Sequence, residues 1–258
     1  MSGLTFKPLD TRTMRMLPRK TVSVLMGGLV LITIALAARA HIKRPRKSGI
    51  VAGQGELVVP HMTRAITLDG DLDDAGWLGA VAQTGAFLDK DGRIAKPFSE
   101  ARLTWGDGVL YMSLYAADED IRAEVTTADG PVWRDDSFHF VFDDGNDERV
   151  FDISVNGVIA DGTRISASST DGGARPPTDF AWSSGAHVSR EIDGTLNDPK
   201  DDDEEWALEI AIPLESIGLT GEAGERVRFA IHRCDSPKNR GRTCASWGER
   251  EPMVLVLR

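Results

Sequence analysis

Cysteine and tyrosine are scarce in this chain, with two of each among 258 residues. No Cys-x-x-Cys pair or Cys/His spacing of a zinc site is present. Nothing resembles Gly-x-Ser-x-Gly, His-Glu-x-x-His or a phosphate loop, so the usual hydrolase, metalloprotease and nucleotide signatures are missing. Positive charge is scarce as well, outside one region. The first 50 residues hold ten of the 30 Lys/Arg but only one, Asp10, of the 40 Asp/Glu, which leaves the rest a formal charge near −19. A body that acidic repels phosphate backbones and excludes nucleic acid as a partner. Cations, calcium above all, suit it better.

The basic minority surrounds the one long hydrophobic run, Thr21 to Ala38, 18 residues without a charge. Lys7, Arg12, Arg15, Arg19 and Lys20 precede it; Arg39, Lys43, Arg44, Arg46 and Lys47 come after it. It reads as the h-region of a signal peptide, with Ala38-Arg39-Ala40 as a cleavage site, or as an uncleaved membrane anchor. Charge on both flanks leaves the orientation open. Either reading places the body outside the cytoplasm, in the periplasm or exterior, tethered or secreted. The domain reading is a basic region at 1–20, the hydrophobic segment at 21–40, a linker at 41–56 and a single domain at 57–258.

An exported chain with Cys234 and Cys244 at the ends of a turn-rich loop is expected to join them as a disulfide, which stabilises by about 2–3 kcal/mol in the chain-entropy picture. Two unpaired thiols in neighbouring strands are the alternative.

Period-two alternation dominates the body of the chain. Phe138, Phe140 and Phe142 share one face of a strand, with Ser137, His139 and Val141 on the other. Trp206, Leu208, Ile210 and Ile212 alternate likewise, as do Val227, Phe229 and Ile231, and Phe151, Ile153 and Val155. Further strands are expected at 57–60, 65–68 and 253–257, and a hairpin at 101–116 around Gly106-Asp107-Gly108. Pro213 ends its strand before one helical turn at 214–217, and 165–184 reads as an excursion loop. The fold class is all-β, a single antiparallel β-sandwich of jelly-roll or immunoglobulin-like layers, preceded by one N-terminal hydrophobic helix. The acids at Asp69–Asp74 do not make an EF-hand, because its glycine position holds Asp74 and its closing carboxylate position Ala80.

Several segments, in order, resemble one known family. Ile66-Thr67-Leu68-Asp69-Gly70-Asp71-Leu72-Asp73 with Trp77 is similar to its opening signature. Val109-Leu110-Tyr111 with Asp118-Glu119-Asp120-Ile121, then Trp133-Arg134-Asp135-Asp136-Ser137, match its next two. Gly194-Thr195-Leu196-Asn197-Asp198 and Trp206-Ala207-Leu208-Glu209-Ile210-Ala211-Ile212-Pro213 match its last. The chain from about 55 to 258 thus resembles carbohydrate-binding module family 9, within the DOMON-like sandwiches. The resemblance implies non-catalytic binding of a polysaccharide or oligosaccharide end, with a terminal sugar stacked between two tryptophans, here Trp133 and Trp247. It also implies a link to polysaccharide breakdown through appended glycosidases. His139 stands where the family strand carries glutamate, and so offers one donor and one acceptor in place of an anion. Arg164 is the expected bidentate donor for vicinal hydroxyls. Structural calcium is the implied cofactor, with Asp135, Asp136 and the 143–147 turn as oxygen ligands; no organic cofactor is expected.

Two readings compete with sugar binding. A haem-binding redox domain of the same superfamily would draw axial ligands from His139, His232 and Met112. A structural or protein-contact role in the envelope needs no site at all. A glycosidase needs two carboxylates at a set separation, and so acidic a chain offers too many pairs for any to signify.

Overall fold

The computed structural model describes residues 55–165, 178–198, 200, 202–238, 241–247 and 253–258. The hydrophobic segment, its basic flanks and most of the linker lie outside the described residues, as do 166–177 of the expected excursion loop. Among the described residues no helix is long and apolar enough to cross a membrane.

The described strands are β1 (Glu56–Val59), β2 (Ala82–Gln83), β3 (Ser99–Gly106), β4 (Val109–Ala117), β5 (Ser137–Asp143), β6 (Glu148–Ser154) and β7 (Ile159–Arg164). They continue with β8 (Thr178–Asp179), β9 (His187–Asp193), β10 (Glu205–Pro213), β11 (Arg226–Asp235), β12 (Thr243–Trp247) and β13 (Met253–Leu257). The larger sheet runs β1-β13-β11-β5-β6-β7-β8, with β12 also on β11; the smaller runs β2-β3-β4-β10-β9. This is the expected all-β sandwich. One pairing departs from it, since β1 lies parallel to β13.

The alternation explains the layering. Phe138, Phe140 and Phe142 are fully buried and meet Phe151, Phe229, Leu208, Ile210 and Ile212 between the sheets. Phe140 stacks on Phe151 at 4.9 Å, and Phe142 sits 5.0 Å from Phe229. Truncating one such ring to alanine costs about 3–5 kcal/mol. The β3–β4 hairpin closes through Asp107 and Gly108, both at positive φ, as a two-residue turn of the right twist requires.

The strand expected at 65–68 does not form. Thr67 gives its N–H to the Asp74 carboxylate, and the Leu68 carbonyl accepts the Ser189 hydroxyl. The segment instead runs as irregular cover over the smaller sheet. There Glu209, fully buried on β10, accepts from the Trp77 indole N–H at 2.6 Å and from the Asp69 and Gly70 amides at 3.0 and 2.7 Å. Gly70 has φ +102, and a Cβ there would lie 2.3 Å from the Arg190 carbonyl oxygen, so only glycine fits.

Candidate functional site

On the larger sheet the phenylalanines of β5 face the core, so the residues between them face away from it. The register then sets a polar row across four strands: Asp152 of β6 opposite His139 of β5, His139 opposite His232 of β11, and His232 opposite Ser246 of β12. The two imidazoles lie with ring centroids 5.6 Å apart. His139 Nδ1 lies 3.0 Å from Asp152 Oδ1; the imidazole is 22% exposed and the carboxylate fully buried. A buried carboxylate fixes the ring's orientation and its tautomer, with Nδ1–H donating and Nε2 as the acceptor.

One step along the strands, about 6.8 Å, Cys234 lies directly opposite Cys244, and the expected disulfide joins them. Ser137 is the neighbour of Cys234 on β5. Just beyond, Trp133 sits half-buried in a 3-10 turn, Val132–Arg134, that enters β5 and is pinned by the fully buried Val132. At that end a cleft of about 350 Å³ opens, walled by Arg122, Arg134, Asp135, Ser236 and Lys238.

The other expected sugar contacts lie elsewhere. Trp247 pairs with Ile231, which pairs with Phe140, so its side chain belongs to the core side of the sheet. Its indole packs 6.1 Å from Phe229. The register therefore does not set Trp247 beside His139. Arg164 shares the outer face but sits opposite Glu148, two steps from Asp152, and forms an ion pair with that carboxylate at 2.6 Å. The register also separates the residues of the haem alternative: Met112 is fully buried among the core residues of β4, while His139 and His232 face away from the core.

Asp135 and Asp136, the expected calcium ligands, are turned to backbone amides. Asp135 accepts the Glu124 and Val125 amides, and Asp136 those of Arg122 and Ser236. Asp136, Asp118 and Asp235 bring carboxylate oxygens within 4.8 Å of one another. Arg233, 2% exposed, donates to Asp118 at 2.5 Å and lies 3.6 Å from Asp235. Trp206 donates its indole N–H to the same Asp118 oxygen at 3.0 Å. Calcium requires six to eight oxygens and a cation-free centre. Here a guanidinium supplies the positive charge, so the set fits an arginine-neutralised cluster and not a calcium site. Burial, then the neighbouring Asp118 charge, pushes the Asp136 carboxyl up to about 8, against the opposing pull of Ser236, Arg233 and Arg122.

Sequence reasoning found His139 and missed Asp152 and Ser246. The signal for Asp152 was present, since it alternates with Phe151 and Ile153, but its partner is set by a strand pairing that no local pattern states.

No protein-family model matches the sequence, and no curated protein matches it. Solved structures do. A candidate carbohydrate-binding protein from Bacteroides uniformis aligns with TM-score 0.58 at 15% identity, covering 79% of this chain and all of that one. A carbohydrate-binding module of family 9 from Caldicellulosiruptor kristjanssonii, in complex with cellotriose, aligns with TM-score 0.51 at 13% identity over 79% of this chain and 93% of that one. The chain thus has the fold of a carbohydrate-binding module of family 9.

Proposed function

We propose that this sandwich binds carbohydrate without cleaving it, on the outer face of the larger sheet between Trp133 and the His139–His232 row. The observation that carries the reading is that row itself: two partly exposed imidazoles side by side, one oriented by a buried carboxylate, with an indole in the 3-10 turn that leads into the same strand. Imidazole nitrogens exchange hydrogen bonds with hydroxyls at neutral charge, and an indole suits the apolar face of a pyranose. The fold shared with a module that was crystallised with cellotriose supports the same reading.

Binding alone is the activity. The row holds one carboxylate, Asp152, and it is fully buried, whereas glycoside cleavage needs two flanking the bond. Any part in polysaccharide breakdown is that of an accessory that holds the chain end. The Cys234–Cys244 bond fits an oxidising compartment outside the cytoplasm, with the body tethered through 21–38 or released by cleavage. Quenching of tryptophan fluorescence across a panel of neutral oligosaccharides tests the reading on the full-length protein. Saturable quenching by at least one member is expected; a flat response to all of them contradicts it.

A further inference from the structure

A second cleft, of about 690 Å³, lies at the β12 edge of the larger sheet. One wall is the loop from Asp89 to Pro97, held to the sheet where Leu88 and Ser246 exchange backbone hydrogen bonds at 2.9 Å. The other wall is Arg233 with the start of β12, from Arg242 to Ala245.

Its charge runs against the rest of the molecule. Lys90, Arg93, Lys96, Arg233 and Arg242 line it, against Asp89 and Asp91 alone. Asp89 is turned into its own loop, where its carboxylate accepts the Asp91 and Arg93 amides at 2.9 Å. Asp91 is shared between Lys90 at 3.1 Å and Arg93 at 3.7 Å. Lys96 and Arg242, both exposed, lie beside the buried Arg233, with Arg242 also within reach of the Asp136 charge. Arg233 also contacts two of the buried carboxylates of the Asp118, Asp136 and Asp235 cluster, at 2.5 Å from Asp118 and 3.6 Å from Asp235. Asp118 takes one guanidinium nitrogen, but the buried Arg233 Nε has no hydrogen-bond partner among the described residues. A buried guanidinium donor without an acceptor is costly, and an oxyanion in the cleft supplies one.

We propose that this cleft is a binding site for an oxyanion-bearing small molecule, a carboxylate or phosphate group seated between Lys96, Arg242 and Arg233. Ile94, Ala95, Pro97 and Ala245 give it an apolar flank for the body of the ligand, and its volume suits a molecule of one or two sugar rings. The site stands independently of sugar binding at the histidine row.

Calorimetric titration of the full-length protein with trigalacturonate, inorganic phosphate and neutral cellotriose tests it. Saturable binding of either anion is expected, weakened at least about tenfold by Lys96→Gln with Arg242→Gln and weakened by added salt. Both positions are exposed, so the double variant is expected to melt with wild type and to keep any cellotriose binding. Trigalacturonate alone would assign a carboxylate ligand and phosphate alone a phosphate ester. Silence toward both anions, or anion binding that the double variant leaves unchanged, overturns the proposal, whatever cellotriose does.

Discussion

Trp77 donates its indole N–H to Glu209 across 2.6 Å, joining the cover segment to the fully buried middle of β10. Trp77 belongs to the opening signature of the family-like motifs and Glu209 to the last, so the pair closes the two ends of the pattern on each other. Burial pushes the Glu209 carboxyl up, while the indole and the Gly70 and Asp69 amides hold it down. Glu209→Ala leaves three donors without their acceptor, and is expected to cost about 3 kcal/mol in urea unfolding. A loss under 0.5 kcal/mol would show that the buckle is dispensable.

Asp136 gives the fold a pH dependence of known sign. Its folded pKa, about 8, lies above its ordinary value of 3.8. The native state therefore holds a proton that the unfolded chain releases. The stabilisation from this group is complete below about pH 4 and is lost as pH rises through about 8. Wild type is expected to lose stability between pH 5 and 9 relative to Asp136→Asn, whose neutral side chain cannot titrate. Parallel stability–pH curves for the two proteins would contradict the assignment.

The charge balance around Arg233 also bears on metal. Since a guanidinium already neutralises Asp118 and faces Asp235, added calcium or EDTA is expected to leave Tm unchanged to about 1 °C. A rise of several degrees with millimolar calcium would restore the calcium reading.

The Cys234–Cys244 bond fastens directly opposed residues of β11 and β12. Replacing both by alanine is expected to lower stability by about 2–3 kcal/mol, read as a shift in the urea midpoint. The same variant reports on Trp247, which shares β12: loss of its packing on Phe229 would show as a red-shifted tryptophan emission.

Much of the fold was legible because its alternation is local. The phenylalanines of β5 and the run from Trp206 to Ile212 announce both their strand and their buried face, and both are buried as read. The recognisable motifs proved to be structural fastenings. Besides Trp77 and Glu209, Asn197 exchanges two hydrogen bonds with the backbone of Ala123, and Asp203 accepts the Ile121 and Thr195 amides. Such motifs report the fold more directly than the ligand. What stayed hidden is long-range. Ala65–Leu68 has the composition of a strand, but its polar groups are claimed by Asp74 and Ser189. The face of Trp247 depends on its register with Ile231, and the row Asp152–His139–His232 on two further pairings.

Calorimetric titration of neutral oligosaccharides, cellotriose first, into wild type, Trp133→Ala, His139→Ala and Trp247→Ala tests the central claim most directly. The account predicts saturable heat in wild type. Affinity should fall at least about tenfold, near 1.4 kcal/mol, in Trp133→Ala at unchanged Tm and in His139→Ala, where Tm also falls because the buried Asp152 carboxylate loses its imidazole, whereas Trp247→Ala should lower Tm through lost core packing. Saturable heat that survives loss of both Trp133 and His139 would contradict a site on the outer face.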